Sequence, residues 1–228
     1  MHNPYIALQF PTVPAPIVPQ PSRRTLTQRL SEDAGFLHDY LRDGLNLIEP
    51  FKTTEHYAGF LTVQYHMLGD VRRLYADEEV WQVIPDPGLA DAERASRMEA
   101  DLHDLEAWPP HPRSSPAPAT HGLGLMEALG WVHASEGLML SLDLMAQTQN
   151  LGEHLGLNET NGGRHLLAPL GSRTRAWRSL AQALDSARVS EEQGSAFVSG
   201  ASLAYHRFDE LLSLALRPRA DTEPATMS

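Results

Sequence analysis

Two groups of residues in this 228-residue sequence have the type and spacing to do chemistry. The first is a stripe of small residues, Gly130, Ala134, Gly137 and Ser141, inside the apolar stretch from Leu125 to Gln149. Steps of four, three and four stack these residues along one side of a helix. A glycine inside a helix costs about 1 kcal/mol against alanine, so the stripe must admit something close to the backbone. A neighbouring helix is one candidate. A flat ligand lying against the bare amides at Gly137 is the other.

The second group is built around His38, in LSEDAGFLHDYLRDGLNLIEPF. Leu30, Ala34, Leu37, Leu41, Leu45 and Ile48 form a helical inner seam, and His38 lies beside it. A histidine there is either a hydrogen-bonded core residue or a ligand. Neutral imidazole is the commonest protein ligand of haem iron. A histidine helix and a glycine helix can face each other across a planar cofactor.

Other chemistries find little support. There is no Gly-rich phosphate loop and no HExxH. Ser135-Glu136-Gly137 lacks the strand and turn of a nucleophile elbow. Glu191 and Glu192 sit at a helix start, where the macrodipole accounts for them. His103, His111, His2 and His121 fall in or near polar loops, and His154 and His165 flank a glycine-rich loop. With no cysteine, disulfides, thiolate metal sites and thiol nucleophiles are excluded.

The net charge of −11 argues against nucleic acid and anionic membrane surfaces as partners. Lys52 is the sole lysine, so an anionic ligand must be held by arginine, hydroxyls or backbone amides. No run is apolar and long enough to span a bilayer, and the N-terminus lacks the pattern of a signal peptide. These features point to the cytoplasm.

The elements that must position these residues read as helices throughout. The expected organisation is one all-α, multi-helical domain over residues 25–216, with a proline-rich flexible tail at 1–24 and a flexible C-terminal tail at 217–228. Thr25 or Thr27 caps a first helix that stops before Pro50, and Thr53 or Thr54 caps a second that runs to Tyr75. A short element over Trp81 to Ile84, an acidic helix from Ala90 to Ala107 and a proline-rich connector from Pro109 to Thr120 follow. After the glycine helix come the loop GEHLGLNETNGG, a helix capped by Ser172, and a last helix opened by Ser190.

Read together, five blocks in order resemble the bacterial haem oxygenases, in particular those found with iron-uptake systems and bacteriophytochromes. The blocks are His38 with EPF at the end of its helix, FLTVQYHMLGDVRRLY, EALGWVHASEG, GGRHLLAPLGSRTRAWRSLAQALD and YHRFDELL. The resemblance implies a haem oxygenase-like fold with haem as both substrate and cofactor, held between a proximal helix bearing His38 and a kinked distal helix centred on Gly137. It implies oxidative cleavage of haem to biliverdin, carbon monoxide and ferrous iron, using O₂ and electrons from a ferredoxin or flavodoxin-type reductase. It also implies a bacteriophytochrome as one acceptor of biliverdin. The residues it places at the site are His38 on the metal; Ala34, His133, Leu138 and Phe208 around the haem; and Gly137 and Ser141 at the reacting face.

The chain departs from the family pattern at several positions. The distal Gly-Ser-x-x-Gly reads Gly137-Leu138-Met139-Leu140-Ser141, and Ala34 stands where a threonine is common. Asn46 and Thr148 occupy positions where some members carry propionate-binding lysines, and His133 replaces an aromatic residue. An imidazolium at His133, its pKa raised by a carboxylate, would partly replace those lysines. A non-enzymatic haem-binding or storage protein is the alternative, and the same fold acting on another small molecule is the third reading.

Overall fold

A computed structural model describes residues 24–108 and 122–216. The two tails and most of the proline-rich connector lie outside the described residues. Eight α-helices are present among them: α1 (Leu26–Ile48), α2 (Thr54–Tyr75), α3 (Glu78–Val83), α4 (Ala92–Asp104), α5 (Leu125–Thr148), α6 (Leu151–His154), α7 (Gly171–Ser186) and α8 (Glu191–Leu216). No strand occurs among the described residues, only isolated bridges around Asn158.

Local chemistry sets most boundaries. Thr25 caps α1 by a capping box with Gln28, and Glu49 ends the helix in the left-handed region at φ 48° just before Pro50. The Thr53 side chain caps α2 at His56 N. The Ser190 hydroxyl accepts from Gln193 N, while Gln193 returns a bond to Ser190 N. Ser172 does not cap α7. It lies inside the helix, whose first residue is Gly171 and whose N-cap is Leu170, without a side-chain cap bond. The acidic helix is shorter than its sequence pattern, because a 3₁₀ turn at Pro87–Leu89 and the Asp91 cap delay its start.

The long helix α8 is the spine, packing against α5, α1 and α2. The approach of α5 to α8 is set by glycine. A Cβ on Gly130 would lie 1.9 Å from the Phe197 carbonyl oxygen, and one on Gly200 would lie 1.8 Å from that of Glu127. Two backbones in contact leave no room for any side chain at either position. The first half of the small-residue stripe therefore serves helix packing, and Ala134 is buried with it.

The apolar core joins all the long helices, with Trp131, Phe60, Phe197, Leu102 and Met98 fully enclosed. Helices α1 and α5 lean on α8 from two sides and make few direct contacts with each other. His38 stays part-exposed on α1, and Ser141 and Leu144 stay exposed on α5.

Candidate functional site

His38 sits on the uncovered side of α1, one turn after the buried Ala34. Its imidazole is 43% exposed, and its edge meets the Tyr205 ring of α8 at a centroid distance of 6.1 Å. Its ring nitrogens make no hydrogen bond among the described residues. The nearest carboxylate oxygen, Oδ1 of Asp39, is 4.0 Å from Nδ1. His38 is thus not a hydrogen-bonded core residue: it is held from one side and open on the other.

The open line of α5 runs through Gly137, Ser141 and Leu144, of which Gly137 is half-buried and Leu144 is 50% exposed. The helix continues through Gly137 without a break in its assignment. The bare backbone there has a packing partner. A Cβ on Gly137 would lie 3.1 Å from the Trp177 indole of α7, whose Nε1 donates to the His133 carbonyl at 3.2 Å. That carbonyl is also the i−4 acceptor position for the Gly137 amide. The indole therefore lies on the helix backbone because the glycine lets it.

Several expected site residues are placed differently. The Ser141 hydroxyl donates to the Leu138 carbonyl at 2.8 Å, so it is bound back to its own helix while the residue remains exposed. Leu138 and Phe208 are core residues, 4% and 0% exposed, and neither offers a surface to a ligand. His133 is corrected most sharply. It is buried between Trp177 and Phe197, with ring centroids at 5.3 and 5.7 Å, and neither ring nitrogen has a partner. Burial lowers its pKa to about 4, against the weak opposing pull of Asp185. It is a neutral core ring, not an imidazolium at a ligand edge. Of the two positions where some family members carry lysines, Asn46 is exposed, and the Thr148 hydroxyl is spent on the Leu144 and Met145 carbonyls.

Behind the open line lies a buried ionic network that sequence reasoning missed. Glu136 is fully enclosed and accepts from Arg94 Nη1 at 2.9 and 3.0 Å, Arg173 Nε at 3.2 Å and the Tyr75 hydroxyl at 2.9 Å. Burial alone would push its carboxyl up, but the Arg94 and Arg173 guanidiniums beside it hold it below the usual carboxylate range. Two turns on, Asp143 accepts from Arg173 Nη1 at 2.5 Å and Gln64 Nε2 at 2.8 Å, with His165 Nε2 at 3.6 Å. Burial opposes its ionisation too, yet His165, Arg173 and Arg94 lower its pKa well below the ordinary value. Asp101 extends the chain of charges, accepting from the backbone amides of Arg164 and His165 at 2.9 and 2.7 Å.

Arg173 thus clamps two acids on one helix face. A signal for this existed in the sequence. Glu136 and Asp143 are seven residues apart in a helix apolar all round, so both must be buried on one face, and buried acids demand buried cations.

No family model matches the sequence. The chain is 34% identical over 197 residues to the haem oxygenase PigA of Pseudomonas aeruginosa, which covers 86% of this chain and 96% of that relative. The fold matches the solved haem oxygenase of Neisseria meningitidis, determined with NO and CO bound, at a TM-score of 0.65 and 25% identity. That match spans 90% of this chain and 99% of the other. The all-α architecture and the near full-length similarity agree with the five sequence blocks, and the chain belongs to the bacterial haem oxygenase family.

Proposed function

We propose that this protein binds haem as substrate against the uncovered flanks of α1 and α5 and opens it to biliverdin, carbon monoxide and ferrous iron. The observation that carries the reading is His38: a half-exposed imidazole with unengaged ring nitrogens on the open side of its helix. The residues present fit the substrate. A flat apolar ring needs a nitrogen donor on one face and a surface free of bulky side chains on the other. His38 supplies the first, and the exposed stretch of α5 at Ser141, one turn beyond the glycine that carries the Trp177 indole, supplies the second. When bound and reduced, the haem iron supplies O₂ activation, and the ring itself is the group oxidised.

The chain's own residues orient and exclude. His38 fixes the ring from the α1 side, and Tyr205 holds the imidazole plane through an edge contact. Gly137 and the Trp177 indole keep the facing segment of α5 flat. The hydroxyl of Ser141, bound to Leu138, can rotate to donate outward, since a hydroxyl hydrogen is not fixed. The Glu136–Arg94–Arg173–Asp143 network sets the rotation and position of α5 behind that face, and with both acids and both guanidiniums ionised it is charge-balanced. No side chain with the acid–base chemistry of a peroxidase lies on the open line of α5.

No helix among the described residues is long and apolar enough to cross a membrane. We take the protein to work in the cytoplasm with a ferredoxin or flavodoxin-type electron donor, and a bacteriophytochrome is a fitting acceptor of the product. Spectra after adding hemin, then reductant in air, test the function. The Soret band should appear and then decay with release of biliverdin. A Soret band stable under reductant and O₂ would instead identify a haem carrier.

A further inference from the structure

The three most exposed large hydrophobic side chains among the described residues all lie on α1: Phe36 at 67%, Tyr40 at 60% and Leu47 at 85%. Steps of four and seven put them on one line of the helix. At ~100° per residue each falls within about 20° of the point opposite His38, so the line is turned away from the proposed haem surface. Glu32, Asp39 and Asp43 are exposed along one edge of it and Asp33 along the other.

An apolar stripe of this kind gains from being covered. A second copy of the chain is a poor cover. Three side chains on one helix offer less than the ~800 Å² per partner of a standard interface. A copy would also bring the same acids against these. A segment tethered to α1 needs far less area, because its local concentration is already of millimolar order.

The chain just before α1 has the composition for this. Residues 1–23 contain no carboxylate side chain, and Val13, Ile17 and Val18 are interspersed there with Pro14, Pro16 and Pro19. Arg24 fixes where this chain meets α1. Its guanidinium pairs with Glu32 at 2.7 Å and Asp33 at 3.6 Å, two residues that straddle the head of the exposed line. The distances match as well. Along α1, at ~1.5 Å per residue, Phe36, Tyr40 and Leu47 lie about 18, 24 and 35 Å from Arg24. In the extended form that prolines favour, at ~3.1 Å per residue, Val18, Ile17 and Val13 fall about 19, 22 and 34 Å from it.

We propose that residues 13–18 lie antiparallel on α1 as an extended strap over Phe36, Tyr40 and Leu47, with prolines against the aromatic rings. The strap braces from behind the helix that presents His38, and its contact does not depend on haem.

Because the chain has no cysteine, one engineered pair can trap the strap in the full-length protein. By the same lengths Ala15 and Asp43 fall about 28 and 29 Å from Arg24, side by side. On mild oxidation, Ala15→Cys with Asp43→Cys should close an intrachain disulfide roughly ten-fold faster than Ala15→Cys with Glu78→Cys, whose second position is exposed on α3. Adding Ile17→Asp and Val18→Asp, which set carboxylates against the acids of α1, should bring the two rates together. Equal rates for the two pairs without those substitutions, or a difference that survives them, would overturn the strap. Disulfides formed mainly between chains would overturn it too and give the stripe to a second copy.

Discussion

Replacing His133 by phenylalanine should change how stability depends on pH rather than how the site works. The ring is 7% exposed, packed between Trp177 and Phe197, and its pKa falls from 6.5 to about 4 because burial disfavours the charged form. In the unfolded chain the same ring takes up a proton near pH 6.5. The unfolded state thus binds more protons than the folded one between these values, and stability falls as pH falls through that window. At ~1.4 kcal/mol per pH unit, the loss between pH 7.5 and pH 5 is about 2 kcal/mol. His133→Phe keeps an aromatic ring and removes the titration. Urea unfolding of both proteins at the two pH values, followed by circular dichroism, isolates the difference, since the other titrating groups are shared. The variant should gain about 2 kcal/mol relative to wild type on going from pH 7.5 to pH 5. Parallel pH profiles for the two proteins would show that His133 is solvated or charged in the fold, and the burial argument would fail.

Glu136→Gln should destabilise the fold by roughly 3–5 kcal/mol, because it strips charge from a site holding Arg94 and Arg173 away from water; a melting temperature within a degree or two of wild type would contradict this. Gly130→Ala should destabilise by forcing α5 from α8, whereas Gly44→Ala, which meets nothing within 4 Å, should stabilise by up to about 1 kcal/mol; chemical denaturation that ranks them the other way would refute the packing account. Gly137→Leu should expel the Trp177 indole, red-shifting tryptophan emission and weakening hemin binding while far-UV circular dichroism stays helical. An unshifted emission spectrum would mean that the indole does not rest on this glycine.

The helices were legible because their signals are local. Thr25, Thr53 and Ser190 mark starts by chemistry within three residues, and Pro50 marks a stop. Ser172 misled because the helix starts at Gly171, two residues before a Ser172 cap would begin it, behind a Leu170 N-cap that offers no side-chain bond. His38 was readable from its place beside a seam, but which side of α1 stays open depends on where α8 lies. The same limit explains His133 and Leu138. Helical spacing puts both near the stripe, yet only the packing of Phe197, Trp177 and the rest of the core decides that they face inward. Partners such as Glu136 and Arg94, or Asp143 and Gln64, are brought together from distant helices, and nothing in their immediate neighbours announces it. The stripe itself carried two meanings at once: Gly130 bares the backbone for α8, and Gly137 bares it for Trp177 and the open face.

The central claim is that His38 holds the haem iron from α1. The ferric absorption spectrum of the hemin complex of His38→Ala, recorded without and with added imidazole, tests it most directly. The variant should lose the wild-type spectrum and regain much of it when imidazole fills the space the side chain left. A variant spectrum identical to wild type without imidazole would show that another residue holds the iron, and the assignment of α1 as the ligating helix would be wrong.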